Sequence, residues 1–470
     1  MSQGGQLDVD VAVIGGGPAA MAFCTALADT GLNIAVIDEQ PRPGGQILRQ
    51  PPADFEIDNW LPGSAYRGLK RQLARFEALK NVRWIGGSAV LGLDRQFEGF
   101  ELCLDGASGT RIVRARRVLT ATGCYDLAAA FPGWTLPGVM TAGGVQTLLK
   151  SQQVLAGERI VFCGTHPLQL IVADQVMQNG GRVEAVVFVQ SFHAAWRMMF
   201  HHTSTMLANM DKLVDAATAL ARLKRRGVPV RFGEVPERAI GYDRLEGVTL
   251  RAVEGGGAPV HLTCDTLALC FGFAPQSDLP RSLDAAIAWD EPYGGWRILH
   301  DVWMRSSVDG LFVAGETAGV GGAQKALIEG ELAALGCAGD AGVLTPEEAE
   351  QRAKPLRRAH GRALAFAAML RALTDPGEAL RKMVTAETVV CRCEIVRHRD
   401  IDAALREHVQ VGRPNAVKLL TRAGMGGCGG RNCEPAVVRQ VSQSLGRLPE
   451  PQDAFTARFP ARSTPVSRLI

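Results

Sequence analysis

The amino-acid sequence predicts an α/β chain of two Rossmann-like three-layer domains, the first interrupted by the second, followed by a small α-helical domain around four cysteines. Three observations predict it. A buried strand runs into a glycine turn at 15–20, and a second strand–turn–helix pattern follows at 159–177. Near the C-terminal end, Cys391, Cys393, Cys428 and Cys433 form the pattern C-x-C-x34-C-x4-C. At 470 residues the chain is also too long for one ordinary hydrophobic core.

The first element is the apolar strand 8–15, which ends at Gly15. Gly15, Gly17 and Ala20 then give G-x-G-x-x-A, with Pro18 and Ala19 inside the turn, and a helical stretch over 21–30. Gly15 permits the tight turn and Gly17 lets the backbone approach a diphosphate. Ala20 lets the helix pack closely on the strand, its positive end aimed at the phosphates. A second strand over 32–37 ends on Asp38 and Glu39. An acid there accepts hydrogen bonds from ribose hydroxyls; the count from Gly31 favours Asp38, with Glu39 the near alternative.

Later segments turn a dinucleotide into FAD. Pro43-Gly44-Gly45-Gln46 resembles the loop that covers the flavin in thioredoxin-reductase-like and ferredoxin-reductase-like proteins. The stretch through Thr122 and Gly123 resembles the strand-to-loop ATG element of the same superfamily. The stretch 310–316 resembles its G-h-h-h-A-G-D element, here with Gly315 followed by Glu316 where Asp is usual. Gly322 and Ala323 open a further helix through 335. A helix N-terminus at the flavin pyrimidine would stabilise the negative charge of the reduced ring.

The second strand–turn–helix runs over 159–177 and is followed by a strand at 183–189. In related reductases this unit binds NAD(P)H through a G-x-G-x-x-G/A turn. Here the turn reads Gly164-Thr165-His166-Pro167-Leu168-Gln169. His166 stands where the diphosphate should approach the backbone, and Gln169 stands where close packing wants a small residue. The next strand ends at Gln190 without an acid. The sequence therefore predicts a nucleotide fold that has lost nicotinamide binding; a modified nucleotide site using Thr165 and His166 is the alternative. His193, His201 and His202 lie in an aromatic and Met-rich, helical stretch over 191–211 that reads as core or interface rather than as a metal site.

The four cysteines suit the two irons of a 2Fe–2S cluster, each iron taking one close pair. The glycines around Cys428 let backbone amides reach the sulphurs, which raises a cluster's potential. A structural zinc site usually shows C-x2-C pairs, which C-x-C does not match. The segments 399–408 and 416–422 read as the short helices that join the pairs. The wording around Cys428 and Cys433 also resembles the bacterioferritin-associated-ferredoxin-like domain.

Composition narrows the function classes. A formal net charge of +3 gives no motive for nucleic acid or an anionic membrane surface. No apolar run is long enough to span a bilayer. Eleven cysteines without an export signal argue against a disulphide framework and for a cytoplasmic chain.

Taken together, the segments over 7–435 resemble the α (A-type) FAD subunits of heteromeric amino-acid and opine dehydrogenases. This family includes opine oxidase, hydrogen cyanide synthase and D-hydroxyproline dehydrogenase subunits. The resemblance implies a flavin disulphide-reductase-type core, with FAD-binding segments 1–150 and 290–345 around a degenerate NAD(P)-binding-like domain at 151–289. A helical connector at 346–386, a 2Fe–2S domain at 387–435 and an extension at 436–470 follow. It implies an electron-transfer subunit whose D-amino-acid-oxidase-like flavoprotein β subunit oxidises a C–N bond, a further small subunit being compatible, as is peripheral membrane contact through an electron acceptor. NAD(P) is not expected, and no catalytic base is assigned. A self-sufficient NAD(P)H-dependent ferredoxin-type reductase is the alternative. The 196–200 stretch and the Pro- and Arg-rich tail from 449, expected to order only on a partner, are candidates for the interface.

Overall fold

The computed structural model describes residues 5–468 apart from 56, 58–59, 107–109, 195–196, 198–201 and 408–410. The 196–200 interface candidate, except Arg197, and His201 lie outside the described residues.

The first sheet has seven strands. Parallel strands β1 (Gly5–Ile14), β2 (Ile34–Asp38) and β3 (Val82–Gly86) form one half, in the order β3-β2-β1. β6 (Thr110–Thr120) lies parallel to β1 on its other side, and the antiparallel hairpin β4 (Val90–Gln96) and β5 (Gly99–Leu104) continues beyond it. Val11 to Ile14 are all buried, because α1 (Pro18–Ala26) covers one face while other elements cover the second. Helix α2 (Ser64–Glu77) adds Leu69, Leu73 and Phe76 to the same core. The strand Leu311–Val313 returns some two hundred residues later to pair with β6 in parallel. This return makes the first core discontinuous in sequence. The helix Ala323–Asp340 then packs on α1, where Gly330 lies against the Ala19 backbone and leaves no room for a Cβ.

The second sheet is wholly parallel. Its strands run Val230–Phe232, Val183–Phe188, Ile160–Gly164, Thr266–Cys270 and Val139–Thr141. The last of these lies upstream of residue 151, so the second layer takes up chain that a division at 150 would leave with the first. Helices α3 (Ala142–Thr147) and α4 (Leu168–Gln178) pack against this sheet, and a three-stranded antiparallel sheet over 234–263 adjoins it. The 191–211 stretch, predicted helical, contains the short helix Thr203–Leu207 and the start of Met210–Arg225.

The connector opens with the long helix Pro346–Thr374, started by a capping box of Thr345 and Glu348, and ends with the short helix Ala379–Lys382. The cysteine domain follows with a small ladder, Val389–Cys391 against Val396–Arg397, and helices His398–Glu407, Pro414–Thr421 and Glu434–Ser444. Its core gathers Val390, Ile401, Val417, Val437 and Val441 with Cys391 and Cys433.

The tail corrects its sequence reading. Rather than needing a partner chain for order, it docks on its own chain. Phe455 is 3% exposed, and its ring fills the space beside Gly424 and Gly430, where a Cβ would collide with it. The Ala461 amide donates to the Leu91 carbonyl at 2.7 Å, Arg462 pairs with Glu39 and donates to the Tyr125 hydroxyl, and Ser463 donates to the Gly427 carbonyl. The contacts with Leu91, Glu39 and Tyr125 reach residues more than three hundred positions away, which composition cannot reveal.

Candidate functional site

The β1–α1 turn is built as its residue types require. Gly15 has φ +99° and a Cβ there would strike the Ala121 carbonyl. Gly17 is the N-cap of α1, with Pro18 at the first helical position and no side chain capping the amides. Those free amides and the helix dipole make an anion-binding end. The loop through Pro43 folds back onto this turn. The Gly44 amide donates to the Gly16 carbonyl at 2.8 Å, and a Cβ on Gly45 would lie 2.7 Å from Gly17 Cα. Gln46, next to Gly45, is exposed.

Asp38 closes the far side. Its carboxylate accepts from the Gly16 amide at 2.5 Å and the Gln40 amide at 2.7 Å. Burial pushes its pKa up, the Gln40 and Gly16 amides opposing that rise. Glu39 turns instead to Arg462. Of the two acids, Asp38 is the one that faces the glycine turn.

Thr122, Gly123, Gly315 and Glu316 come together although nearly two hundred residues separate them. The link is Thr317, which sequence reasoning missed. Its hydroxyl accepts from the Gly123 amide at 3.0 Å and lies 3.1 Å from the Thr122 hydroxyl. Glu316 accepts from the Gly321 amide at 3.1 Å and the Gly322 amide at 2.7 Å, so it sits at the opening of the helix beginning at Ala323. Beneath this loop lies a buried charged cluster. Lys325 Nζ donates to the Gly319 carbonyl at 2.8 Å and contacts Glu329 at 2.7 Å; Glu329 accepts from the Gly315 amide at 2.9 Å and meets His360 at 3.0 Å. The i,i+4 spacing of Lys325 and Glu329 was the available signal, but it reads in sequence as a surface pair.

Arg49 and Trp84 were also missed. Trp84 lies against Gly16, where a Cβ would sit 2.5 Å from its ring. Arg49 stands near Asp38 and Glu39, and its Nε is buried without a hydrogen-bond partner. An orphaned guanidinium nitrogen, a glycine cradle and uncapped helix amides in one place fit an anionic dinucleotide.

The second turn is filled by side chains. The His166 ring is edge-on to Phe273 at 5.2 Å, its Nδ1 accepts from the Leu168 amide at 3.2 Å, and burial pushes its pKa down to about 4. Gln169 is fully buried and donates to the Gly164 carbonyl at 3.4 Å. Gln190, at the position of the expected ribose acid, donates to the carbonyls of Thr165 and of Leu373 on the connector helix. Among the described residues, neither His193 nor His202 belongs to a group of metal-ligating side chains.

The four cysteines converge, but across the two motifs. Cys391 hydrogen-bonds with Cys433, both buried, and Cys393 with Cys428, both more open to solvent. The Cys433 thiol, the chief cause, and the Gly424, Glu394 and Cys393 amides bring the Cys391 pKa down to about 5 against its burial; Cys433 is pushed up correspondingly. The Gly424 amide lies 3.5 Å from Cys391 Sγ. Gly426 packs on the Cys393 side chain, where any Cβ would collide. Among the described residues no group of three or more His, Cys, Asp or Glu side chains is set to hold one metal ion. A 2Fe–2S cluster asks only two thiolates of each iron, so two thiol pairs joined by glycine-rich backbone fit it. Beside Cys428 opens a cavity of about 350 Å³ whose wall includes Arg281, Lys418, Arg431 and Arg458. Among the described residues no helix is long and apolar enough to cross a membrane.

Two family models match separate stretches of the chain. A pyridine nucleotide-disulphide oxidoreductase family model matches residues 9–330, and a BFD-like 2Fe-2S binding domain matches residues 389–441. The chain is 31% identical to the HcnB subunit of hydrogen cyanide synthase from Pseudomonas protegens, covering 98% of this chain and 97% of that one. It is 34% identical to the A-type subunit of opine oxidase from Rhizobium meliloti, covering 90% of each. Among solved structures, L-proline dehydrogenase from P. horikoshii superposes with a TM-score of 0.68 at 20% identity, over 99% of this chain and 80% of that one.

Proposed function

This chain belongs to the pyridine nucleotide-disulphide oxidoreductase family, as an FAD oxidoreductase with a 2Fe–2S domain related to HcnB and to the A-type subunits of opine oxidases, and from that we propose that it is the electron-transferring subunit of a heteromeric dehydrogenase. In this reading a D-amino-acid-oxidase-like flavoprotein partner removes two electrons and two protons from a C–N bond of an amino acid, imino acid or opine. The electrons pass through this chain to an external acceptor. The observation that carries it is the second nucleotide turn. His166, Gln169 and Gln190 fill the space through which a nicotinamide dinucleotide would approach, in a chain otherwise equipped with two redox sites. Relatives named as subunits support the expectation of partner chains.

Bound FAD would supply two-electron acceptance with stepwise release, and the cluster one-electron carriage. Gly15, Gly17, Pro18, Ala19, Ala20 and Gly45 would cradle the diphosphate at the uncapped α1 N-terminus, and Asp38 would accept from the ribose. Gln46, Thr122, Gly123, Gly315 and Glu316 would line the ribityl and flavin portion, with the helix that Gly322 and Ala323 open turning its N-terminus toward developing negative charge, the Gly322 amide itself being held by Glu316. Cys391, Cys393, Cys428 and Cys433 would hold the cluster. The Lys325–Glu329–His360 cluster holds the Gly315–Gly319 backbone in place. The tail ties the cysteine domain to the first sheet, with Arg462 on Glu39 and Ser463 on Gly427.

Anaerobic addition of NADH or NADPH to the purified yellow protein tests the route of electron entry. The flavin absorbance should persist for many minutes; bleaching within the mixing time by one equivalent would favour a self-sufficient reductase.

A further inference from the structure

Lys150 is 5% exposed, and among the described residues no carboxylate pairs with it. Its Nζ donates to the Ile47 carbonyl at 3.2 Å and stands 5.5 Å from the centre of the Tyr66 ring. A buried ammonium left with a carbonyl and an aromatic face is a costly arrangement, since removing an ion from water is repaid only by a well-placed opposite charge. Burial accordingly pushes its pKa down to about 7. Lys325, buried to a similar degree, has Glu329 as its anion.

The backbone that carries Lys150 is itself unusual. Residues Leu148–Gln152 form a π-helical turn appended to α3, closed by Gln153 at φ +55°. The Gln153 side chain donates to the carbonyls of Leu149 and Lys150, satisfying acceptors that the wide turn frees. Such turns are rare and concentrate at functional sites. Around it, Gln146 donates to Gln175 at 2.9 Å and Gln175 to the Tyr66 hydroxyl at 3.1 Å, so the ring under the ammonium is fixed from the second layer.

Ile47 belongs to the loop that folds onto the α1 turn through Gly44 and Gly45. The ammonium is therefore held at the backbone that directly follows the 43–46 segment, with no carboxylate beside it among the described residues.

We propose that Lys150 is the cation that answers the negative charge of bound FAD. The inference rests on the reading of residues 43–46, which Ile47 directly follows, as the cofactor loop. FAD carries negative charge in two places, a permanent one on the diphosphate and one that arises on the isoalloxazine when it is reduced, and the two leave different signatures.

The test compares wild type with Lys150→Met, which keeps the stem and removes the charge, and with Lys150→Arg, which keeps the charge. For each, three quantities are read: the thermal midpoint of the protein stripped of FAD, the affinity for oxidised FAD, and the flavin reduction potential from dye-equilibrated titration. The stripped Lys150→Met protein should be at least as heat-stable as wild type, because an uncompensated buried charge has gone. If the diphosphate is the partner, affinity for oxidised FAD falls at least tenfold with the potential unmoved. If the reduced ring is the partner, affinity for oxidised FAD holds and binding of the reduced form weakens at least tenfold, a drop of about 30 mV for a two-electron couple. Lys150→Arg should restore most of either loss. Unchanged affinity and unchanged potential in Lys150→Met would overturn the proposal, as would a stripped Lys150→Met protein that melts well below wild type with both parameters intact. A wild-type chain that binds no FAD would instead overturn the reading of the loop on which the proposal rests.

Discussion

Replacing Lys325 by Met removes the cation from a deeply buried charged cluster beneath the 315–319 loop. Lys325 is 3% exposed and Glu329 fully buried, so solvent screening takes little from their interaction. The substitution strands the Glu329 carboxylate with the Gly315 amide and His360, and frees the Gly319 carbonyl. Breaking a buried pair from one side costs about 3–5 kcal/mol, a large share of the roughly 5–15 kcal/mol that holds a domain together. Burial pushes the Glu329 pKa up, but Lys325 and His360 together bring it below the ordinary value. A carboxyl whose folded pKa is depressed adds stability above its unfolded pKa, about 4.3, and loses it as pH falls through the lower folded value. The gap between wild type and Lys325→Met should therefore be full at neutral pH and close on the acid side. Urea denaturation at pH 7 and at pH 4, with hydrogen exchange at the Gly315 amide as the local readout, measures it. The double variant Lys325→Met/Glu329→Leu should recover much of the loss, since an apolar pair can replace a buried ionic one with little penalty. A single variant within about 1 kcal/mol of wild type, below the range for a broken buried pair, would refute the reasoning. So would a double variant no better than the single.

Further expectations follow from neighbouring features. Gly45→Ala places a Cβ 2.7 Å from Gly17 Cα at a residue with φ +61°, and should lower the FAD content of the purified protein, read from the flavin-to-protein absorbance ratio. Cys428→Ser should reduce the iron and acid-labile sulphide of anaerobically prepared protein from about two of each per chain; one zinc and no sulphide in wild type would contradict the cluster. Phe455→Ala removes the ring packed on Gly424 and Gly430. It should cost about 3–5 kcal/mol of stability in the cysteine domain, with proteolysis of the tail following; a tail as resistant as in wild type would contradict its docking.

What was legible in the sequence was what is local. Gly15, Gly17, Ala20 and Asp38 follow one another within a single strand–helix–strand unit, so pattern alone identifies their turn, and His166 and Gln169 are conspicuous against the same pattern. The four cysteines were legible as a set, but not that Cys391 touches Cys433 and Cys393 touches Cys428, because that pairing depends on how the intervening helices fold back. Thr317, Arg49, Trp84 and Lys150 escaped notice for a different reason. Thr317, Trp84 and Lys150 acquire their roles from partners far along the chain, and hydropathy reads a lysine or arginine such as Arg49 as solvent-facing wherever it occurs. The tail was misread for the same cause. Its prolines and arginines look unstructured until Glu39, Tyr125 and Gly427 are brought to them by the fold.

Under the proposed function, electrons reach this chain from another protein. The most direct test expresses the chain alone and together with a D-amino-acid-oxidase-like flavoprotein, and assays both with an artificial dye across a panel of D-amino acids, prolines and opines. An obligate complex should bury on the order of 2,000 Å² or more and co-purify. Activity is expected only from the co-expressed pair. Equal turnover by the isolated chain would contradict the proposal and locate substrate oxidation in the chain itself.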